Sequence, residues 1–142
     1  MSNLNAALGV SASALTAERT RIEAAVSNLA NAESTRGPDG LPYRRRDVVL
    51  AADPHNTFEE ALGQASAVGV KVAAIVEDQT PPKMRYDPSH PDANAEGFVA
   101  LPNIDTPEEM VNMLSASRAY QANLTAIGLI RDLVQKSLEL GK

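Results

Sequence analysis

Cysteine and tryptophan are both missing from these 142 residues, and the two absences remove whole classes of answer. Without a thiol there is no disulfide framework and no thiolate to act as nucleophile or metal ligand, so the redox state of the compartment leaves no trace in the chain. Aromatic side chains are scarce as well, at two phenylalanines and three tyrosines. A thick interior cannot be filled from that stock, whereas the abundant alanine suits helices that approach closely.

No stretch approaches the ~18 apolar residues of a membrane span. The N-terminus has neither the basic region nor the continuous apolar run of a cleavable secretory signal. The expectation is a protein that does not insert into a membrane and that, if exported, uses a route that does not read a Sec signal. Positive charge is equally sparse. The formal net charge is -5, and the single basic cluster is Arg44-Arg45-Arg46, which argues against nucleic acid or an anionic membrane surface as a partner. There is no internal repeat or low-complexity tract, and a chain of this length supports one modest core rather than two.

What is present is concentrated at the two ends. In residues 105–142, Thr106-Pro107-Glu108-Glu109 has the form of a capping box, with proline at the first helical position and Glu109 able to reach back. Met110, Met113, Tyr120, Leu124, Ile127, Val134 and Leu138 then recur in steps of three and four, broken only at Ser117 and Arg131, until Gly141 supplies a stop. Such a helix is ~50 Å long, more than one compact domain of this size can cover. Leu129, Ile130, Leu133 and Leu140 lie outside this seam, so a single partner helix is not enough.

A second long helix is predicted over residues 2–33. Leu8, Leu15, Ile22 and Leu29 fall every seventh residue, with Leu4, Ala25, Val26 and Ala32 beside them. The seam is thin, because Ser11 and Glu18 stand where a strong zipper has large apolar groups. Burial of the four seventh-position side chains contributes roughly 6–12 kcal/mol, less than the ordering of such a helix costs, so it is expected to fray until neighbours cover it. Gly37-Pro38-Asp39-Gly40 ends it with a turn.

The stretch between, residues 36–104, holds eight of the nine prolines and shifts toward a period of two. Short strands are predicted near 47–51, over 70–77, over 83–87 and near 97–101, with Gln79-Thr80-Pro81-Pro82 between the middle two. Residues 56–66 read as a short helix or a loop, and residues 87–96 as a loop. The expected fold is therefore mainly α: an antiparallel pair of long terminal helices, coiled-coil-like, carrying a small β-rich head. The division is 1–35 and 105–142 for the helical core and 36–104 for the insert.

Two stretches are more specific than their periodicity. Ser27-Asn28-Leu29-Ala30-Asn31-Ala32, with Ser34, Thr35 and then Tyr43-Arg44, resembles the N-terminal signature shared by bacterial flagellar rod, hook and hook-associated proteins. Glu109-Met110-Val111-Asn112-Met113, running on through Ser117-Arg118-Ala119-Tyr120-Gln121-Ala122-Asn123, resembles their C-terminal signature. The short middle, with Pro82-Lys83, Tyr86-Asp87-Pro88, Asp92-Ala93-Asn94, Gly97 and Pro102-Asn103-Ile104-Asp105, is similar to that of the proximal rod members. The likeness spans nearly the whole chain outside about residues 53–68.

The resemblance implies a structural subunit of the flagellar rod that crosses the periplasm, exported by the flagellar type III apparatus. Its partners are then other copies of itself and other rod proteins. The expected assembly contacts are Leu8, Leu15, Ile22, Asn28, Leu29 and Asn31 on the first helix, with Met110, Met113, Tyr120, Gln121, Asn123, Leu124, Ile127 and Val134 on the second. Asn28, Asn31, Gln121 and Asn123 either hydrogen-bond across subunits to fix register or lie on a solvated face. Arg44-Arg45-Arg46 either meets a neighbour's carboxylates or is a solvated run.

No nucleophile, base and acid stand in a recognisable frame, and no cofactor motif occurs, so no enzymatic activity is expected. Asp87-Pro88-Ser89-His90-Pro91-Asp92 is the one place where a metal has candidate ligands. His55 is remote in sequence, no second histidine lies at a helical spacing, and the prolines restrict convergence. A soluble metal-binding domain at His90, or another short axial subunit, is the alternative reading.

Overall fold

The computed structural model describes residues 2–53 and 68–140. The helix or loop expected over residues 56–66, His55 and the Gly141 stop lie outside the described residues. Two long helices, α1 (Ser2–Ala30) and α2 (Thr106–Leu140), run antiparallel, with four strands between them. On α1, Thr16 and Thr20 donate their hydroxyls to the carbonyls of Ala12 and Thr16 at 3.3 and 3.1 Å, so their polar groups are satisfied without breaking the helix. The helix stops short of Glu33 because its end tightens. The Asn31 N–H is shared between the carbonyls of Ser27 and Asn28, both at 3.2 Å, and Ala32 and Ser34 bond three residues back.

The start of α2 differs from the capping box read in the sequence. The Asp105 carboxylate accepts the Glu108 N–H at 3.3 Å, and its carbonyl accepts the Glu109 N–H at 3.0 Å, so Asp105 is the cap. Thr106 becomes the first helical residue and Pro107 the second, still within the turn where a missing N–H has no cost. Glu109, released from capping, turns inward.

The strands form two separate hairpins. β1 (Arg46–Asp53) pairs antiparallel with β2 (Gly69–Glu77), and β3 (Lys83–Tyr86) pairs antiparallel with β4 (Phe98–Leu101). All four match predicted strands, but the two flanking Gln79–Pro82 do not pair with each other. In β2 one residue, Ala73, is passed over between Val49↔Ala74 and Leu50↔Val72, which bends the hairpin.

That first hairpin is not a head beyond the helices, as the sequence suggested; it lies along α1. At one end Asn28 bonds the backbone of Arg46, and at the other the Val70 N–H donates to Ser13 Oγ at 3.1 Å. The helix from Ser13 to Asn28 spans ~22 Å, and the strand from Arg46 to Asp53 spans ~23 Å, so the two match in length. Gly69 permits the approach, since a Cβ there would stand 3.0 Å from Ser13 Oγ. α1 is thus the middle layer, with β1–β2 on one side and α2 on another, and among the described residues α2 packs chiefly on α1.

The β3–β4 hairpin stands apart from the helices and the other hairpin among the described residues, and loops tie it down, with Val99 of β4 fully buried. Thr35 Oγ1 donates to Asp92 at 2.7 Å, and Lys83 Nζ to the Ile104 carbonyl at 3.3 Å. Gly97 closes its turn with φ of 82°, and a Cβ there would meet Tyr86 Cε2 at 3.0 Å and Pro88 Cβ at 3.1 Å. Gly97→Ala is therefore expected to cost about 1–3 kcal/mol through backbone strain and displacement of Tyr86. Urea unfolding measures it, and a change below ~0.5 kcal/mol would contradict the assignment.

The interior is small. Its buried apolar residues, among those described, are Ala17, Ala25, Val99, Ile104 and Ala116. The chain exposes 9865 Å², against the ~7,100 Å² of a compact globule of this mass. The excess is surface that this chain cannot cover by itself.

Candidate assembly interface

Among the described residues the most buried polar side chain stands where α1, β1 and α2 meet. Asn28, 1% exposed, uses its whole amide. Its Nδ2 donates to Glu109 Oε2 at 3.0 Å and to the Arg46 carbonyl at 2.9 Å; its Oδ1 accepts the Arg46 N–H at 2.9 Å and the Tyr43 hydroxyl at 3.2 Å. The other oxygen of the buried Glu109 accepts Arg45 Nε at 2.6 Å. Burial alone would lower the Arg45 pKa; the hydrogen bond and charge of Glu109, with Asp47 and Glu108, override that and raise it. Ser27 Oγ lies 3.1 Å from the Tyr43 hydroxyl, and the Arg46 guanidinium stacks 5.6 Å from that ring's centroid.

Within the single chain the donors and acceptor of Asn28 are spent on internal partners, and it fixes how the helices and β1 sit together. Asn31 and Asn123 likewise donate to their own helix, to the carbonyls of Ser27 and Ala119 at 2.8 and 2.9 Å. Gln121 is exposed. Within the arginine run, Arg45 pairs with Glu109 and Asp47, and Arg46 lies 3.5 Å from Glu77. Arg44 bonds only the neutral Gln79 side chain.

The apolar stripes are displaced from the line where the helices touch. The buried residues Ser11 and Ala25 on α1 and Glu109 and Ala116 on α2 each fall on one heptad row, Leu4, Ser11, Glu18 and Ala25 on the first helix and Glu109, Ala116, Asn123 and Ile130 on the second, which marks these rows as the sides turned toward each other. Small side chains win these positions because they permit the closest approach of two backbones. Leu8, Leu15, Ile22 and Leu29 stand four residues further round α1 and are half-buried; Met113, Tyr120, Ile127 and Val134 stand equally further round α2 and are half-buried too. Beyond them Met110, Leu124 and Leu138, expected in the seam, are 53%, 54% and 54% exposed. Ile130, placed outside the seam by the sequence, is half-buried, whereas Leu129 and Leu133 are exposed.

In an antiparallel pair, equal rotation from the contact line brings both stripes to the same side. Arg19 on α1 and Tyr120 on α2 lie near each other on that side, and the Arg19 guanidinium is raised above its ordinary pKa first by its hydrogen bond to Glu23. The large apolar side chains of both helices therefore lie half-buried on one side of the pair, beside the exposed Val26, Met110 and Leu124. The back of α2 adds Val111, Leu129 and Leu133, at 66%, 60% and 57% exposure.

At the candidate metal site the ligands are used locally. His90 Nδ1 accepts the Asp92 N–H at 3.1 Å, Asp92 bonds Thr35, and Asp87 accepts the Ser89 hydroxyl at 2.7 Å. Among the described residues no group of three such side chains is placed to hold a metal. The Ser89 hydrogen bond lowers the Asp87 pKa, and the Thr80 backbone bond lowers that of Asp78. Each turn is therefore stabilised above the ordinary carboxylate pKa of ~3.9 and loses that contribution as pH falls through the lowered value. The amide resonances of Thr80 and Ser89 are expected to shift at a lower pH than those beside an exposed carboxylate without such a bond.

Comparison with known proteins is consistent along the whole chain. The family described as flagellar basal body rod FlgEFG protein C-terminal matches residues 95–140. The flagellar basal-body rod protein FlgC of Salmonella typhimurium is 47% identical over 133 residues, covering 94% of each chain. The FlgC of Bacillus subtilis is 43% identical over 144 residues, covering 95% of this chain and 96% of its own. That of Borreliella burgdorferi is 39% identical over 147 residues, covering 96% and 97%.

Proposed function

The chain belongs to the FlgC family of flagellar basal-body rod proteins, and from that premise we propose that it builds the rod through the open side of its helix pair. It is a structural subunit of the basal-body rod. Residues 1–35 and 105–142 form the helical core of the assembly, and 36–104 the insert. The groove between Leu8, Leu15, Ile22 and Leu29 on α1 and Met113, Tyr120, Ile127 and Val134 on α2 receives a helix of a neighbouring copy or of another rod protein, against Met110 and Leu124 at its rim. The observation that carries this is the displacement of the large apolar stripes from the contact line. Side chains so placed are half-exposed in one chain and covered only by a third helix.

The subunit is read as non-enzymatic, reaching the rod in the periplasm through the flagellar type III apparatus. Apolar terminal helices that gain cover only from neighbours suit a chain exported before it assembles. Deleting the gene from its bacterium is expected to abolish swimming and the secretion of later flagellar subunits, with both restored by the intact chain. A deletion strain that swims normally would overturn the reading. Stoichiometric zinc or manganese, lost in His90→Ala, would favour the metal-binding alternative.

A further inference from the structure

Directional bonds tie α2 to the rest of the chain at one end only. Among the described residues, every hydrogen bond and ion pair that leaves α2 for a residue before Asp105 comes from Glu109 or, at 3.8 Å to Arg45, from Glu108. The side-chain bonds further along α2, from Asn123 to the Ala119 carbonyl and from Thr125 to that of Gln121, stay within the helix. The Glu109 carboxylate ends between Asn28 of α1 and Arg45 just ahead of β1, with its side chain 3% exposed. Past its first turn, α2 is held to α1 by packing alone.

That packing repeats every seven residues. Ala116 follows Glu109 by one heptad in its row, as Ala25 follows Glu18 on α1, and the large stripes share the same period. Seven residues turn a helix through nearly two whole turns, so a slide of α2 by one heptad, about 10 Å, returns small side chains to small and large to large. Length permits the slide as well, since α2 has 35 residues and α1 has 29. With Glu109 level with Asn28 near the end of α1, the far end of the antiparallel α2 overruns the start of α1, and a slide draws that surplus onto it. Among the described elements neither hairpin shares a packed face with α2. Apolar contact therefore separates the two alignments poorly, whereas polar contact separates them well. After a slide Ala116 stands at Asn28, the Asn28 amide loses an acceptor and Arg45 loses its buried carboxylate.

We propose that Glu109, seated between Asn28 and Arg45, is a register lock that selects one of two alignments of α2 on α1 which the heptad rows would otherwise both accept. A single buried polar contact fixes register in the same way along an apolar coiled-coil seam. Because residues 102–105 join β3–β4 to α2, the lock also sets the height at which that hairpin stands beside α1. The device belongs to the single chain and does not depend on which helix covers the pair in the rod.

The absence of cysteine makes the test clean, because nitroxide labels attach only where Ala12→Cys/Ser115→Cys places them, at two exposed positions on the two helices. Pulsed electron paramagnetic resonance then reads the distance between labels in the purified full chain. With Glu109 in place a single distance is expected. Adding Arg45→Met/Glu109→Leu exchanges the buried pair for apolar groups at little net cost to the fold. It is expected to bring in a second population, longer by most of the ~10 Å slide. Adding Glu109→Ala/Ala116→Glu instead moves the carboxylate one heptad along, and the longer distance should become the main one as the relocated carboxylate comes to rest at Asn28 and Arg45. A folded first variant that keeps the single original distance would overturn the lock. So would a relocated variant that keeps that distance or fails to fold, or a chain with Glu109 that already shows both distances. Should the first variant fail to fold, the relocation decides alone.

Discussion

Arg45→Met is expected to destabilise the folded chain by about 3–5 kcal/mol, because it strips the charge partner from a carboxylate that has no access to water. The Glu109 side chain is 3% exposed and the Arg45 side chain 17%, so solvent cannot substitute for the missing guanidinium. The amide of Asn28 still donates to Glu109 in the variant, but one neutral hydrogen bond does not offset a buried charge. Glu109→Leu on the same background removes the orphaned carboxylate and should recover most of the loss, since apolar groups of similar volume replace a buried pair at little net cost. Urea unfolding of the four chains gives the coupling. A single-variant loss below about 1 kcal/mol would mean that the Glu109 carboxylate does not depend on Arg45 and that the pair contributes little to stability.

That network was half legible. The helix signals, the four strands and the polarity of Asn28 inside an apolar stripe all stand in the sequence, because each is a local or periodic property. The partner of Asn28 is not, since a side chain at residue 28 carries no mark of the residue 81 positions later that it meets. Glu109 was misread for a related reason: its spacing from Thr106 fits a capping box, yet Asp105 one residue earlier competes for the same amides and wins. The signal that distinguishes the two is the heptad row Glu109, Ala116, Asn123 and Ile130, whose small and polar members mark the line of closest approach. Seventh-residue spacing revealed the stripes but not that a neighbouring row of alanine and serine would take the contact. It is this displacement that leaves the large residues facing outward.

The two roles separate in experiment. Residues at the hub should govern whether the chain folds, and residues at the groove whether folded chains join. Most substitutions in an obligate polymer confuse these, because loss of fold and loss of assembly both stop swimming. A position fully engaged in assembly yet exposed in the single chain resolves them.

On the proposed reading Leu124 is such a position. At 54% exposure on the rim of the groove, Leu124→Asp places its carboxylate in water while the chain is alone, and its urea midpoint should change by no more than ~0.5 kcal/mol. In the rod the same carboxylate would be sealed beneath a neighbouring helix without a partner, at a cost of several kcal/mol, repeated at every equivalent junction. The expected result is a well-folded chain that cannot build a rod, seen as loss of swimming in soft agar and loss of secreted later flagellar subunits. Lys71→Gln is the matched control. Lys71 is 56% exposed and pairs with Asp53 at 3.0 Å, a contact worth at most about 1 kcal/mol, and it lies on the hairpin rather than the groove. That strain should swim nearly normally. A motile Leu124→Asp strain would move the assembly face away from this groove, most directly to the back of α2, where Val111, Leu129 and Leu133 stand exposed.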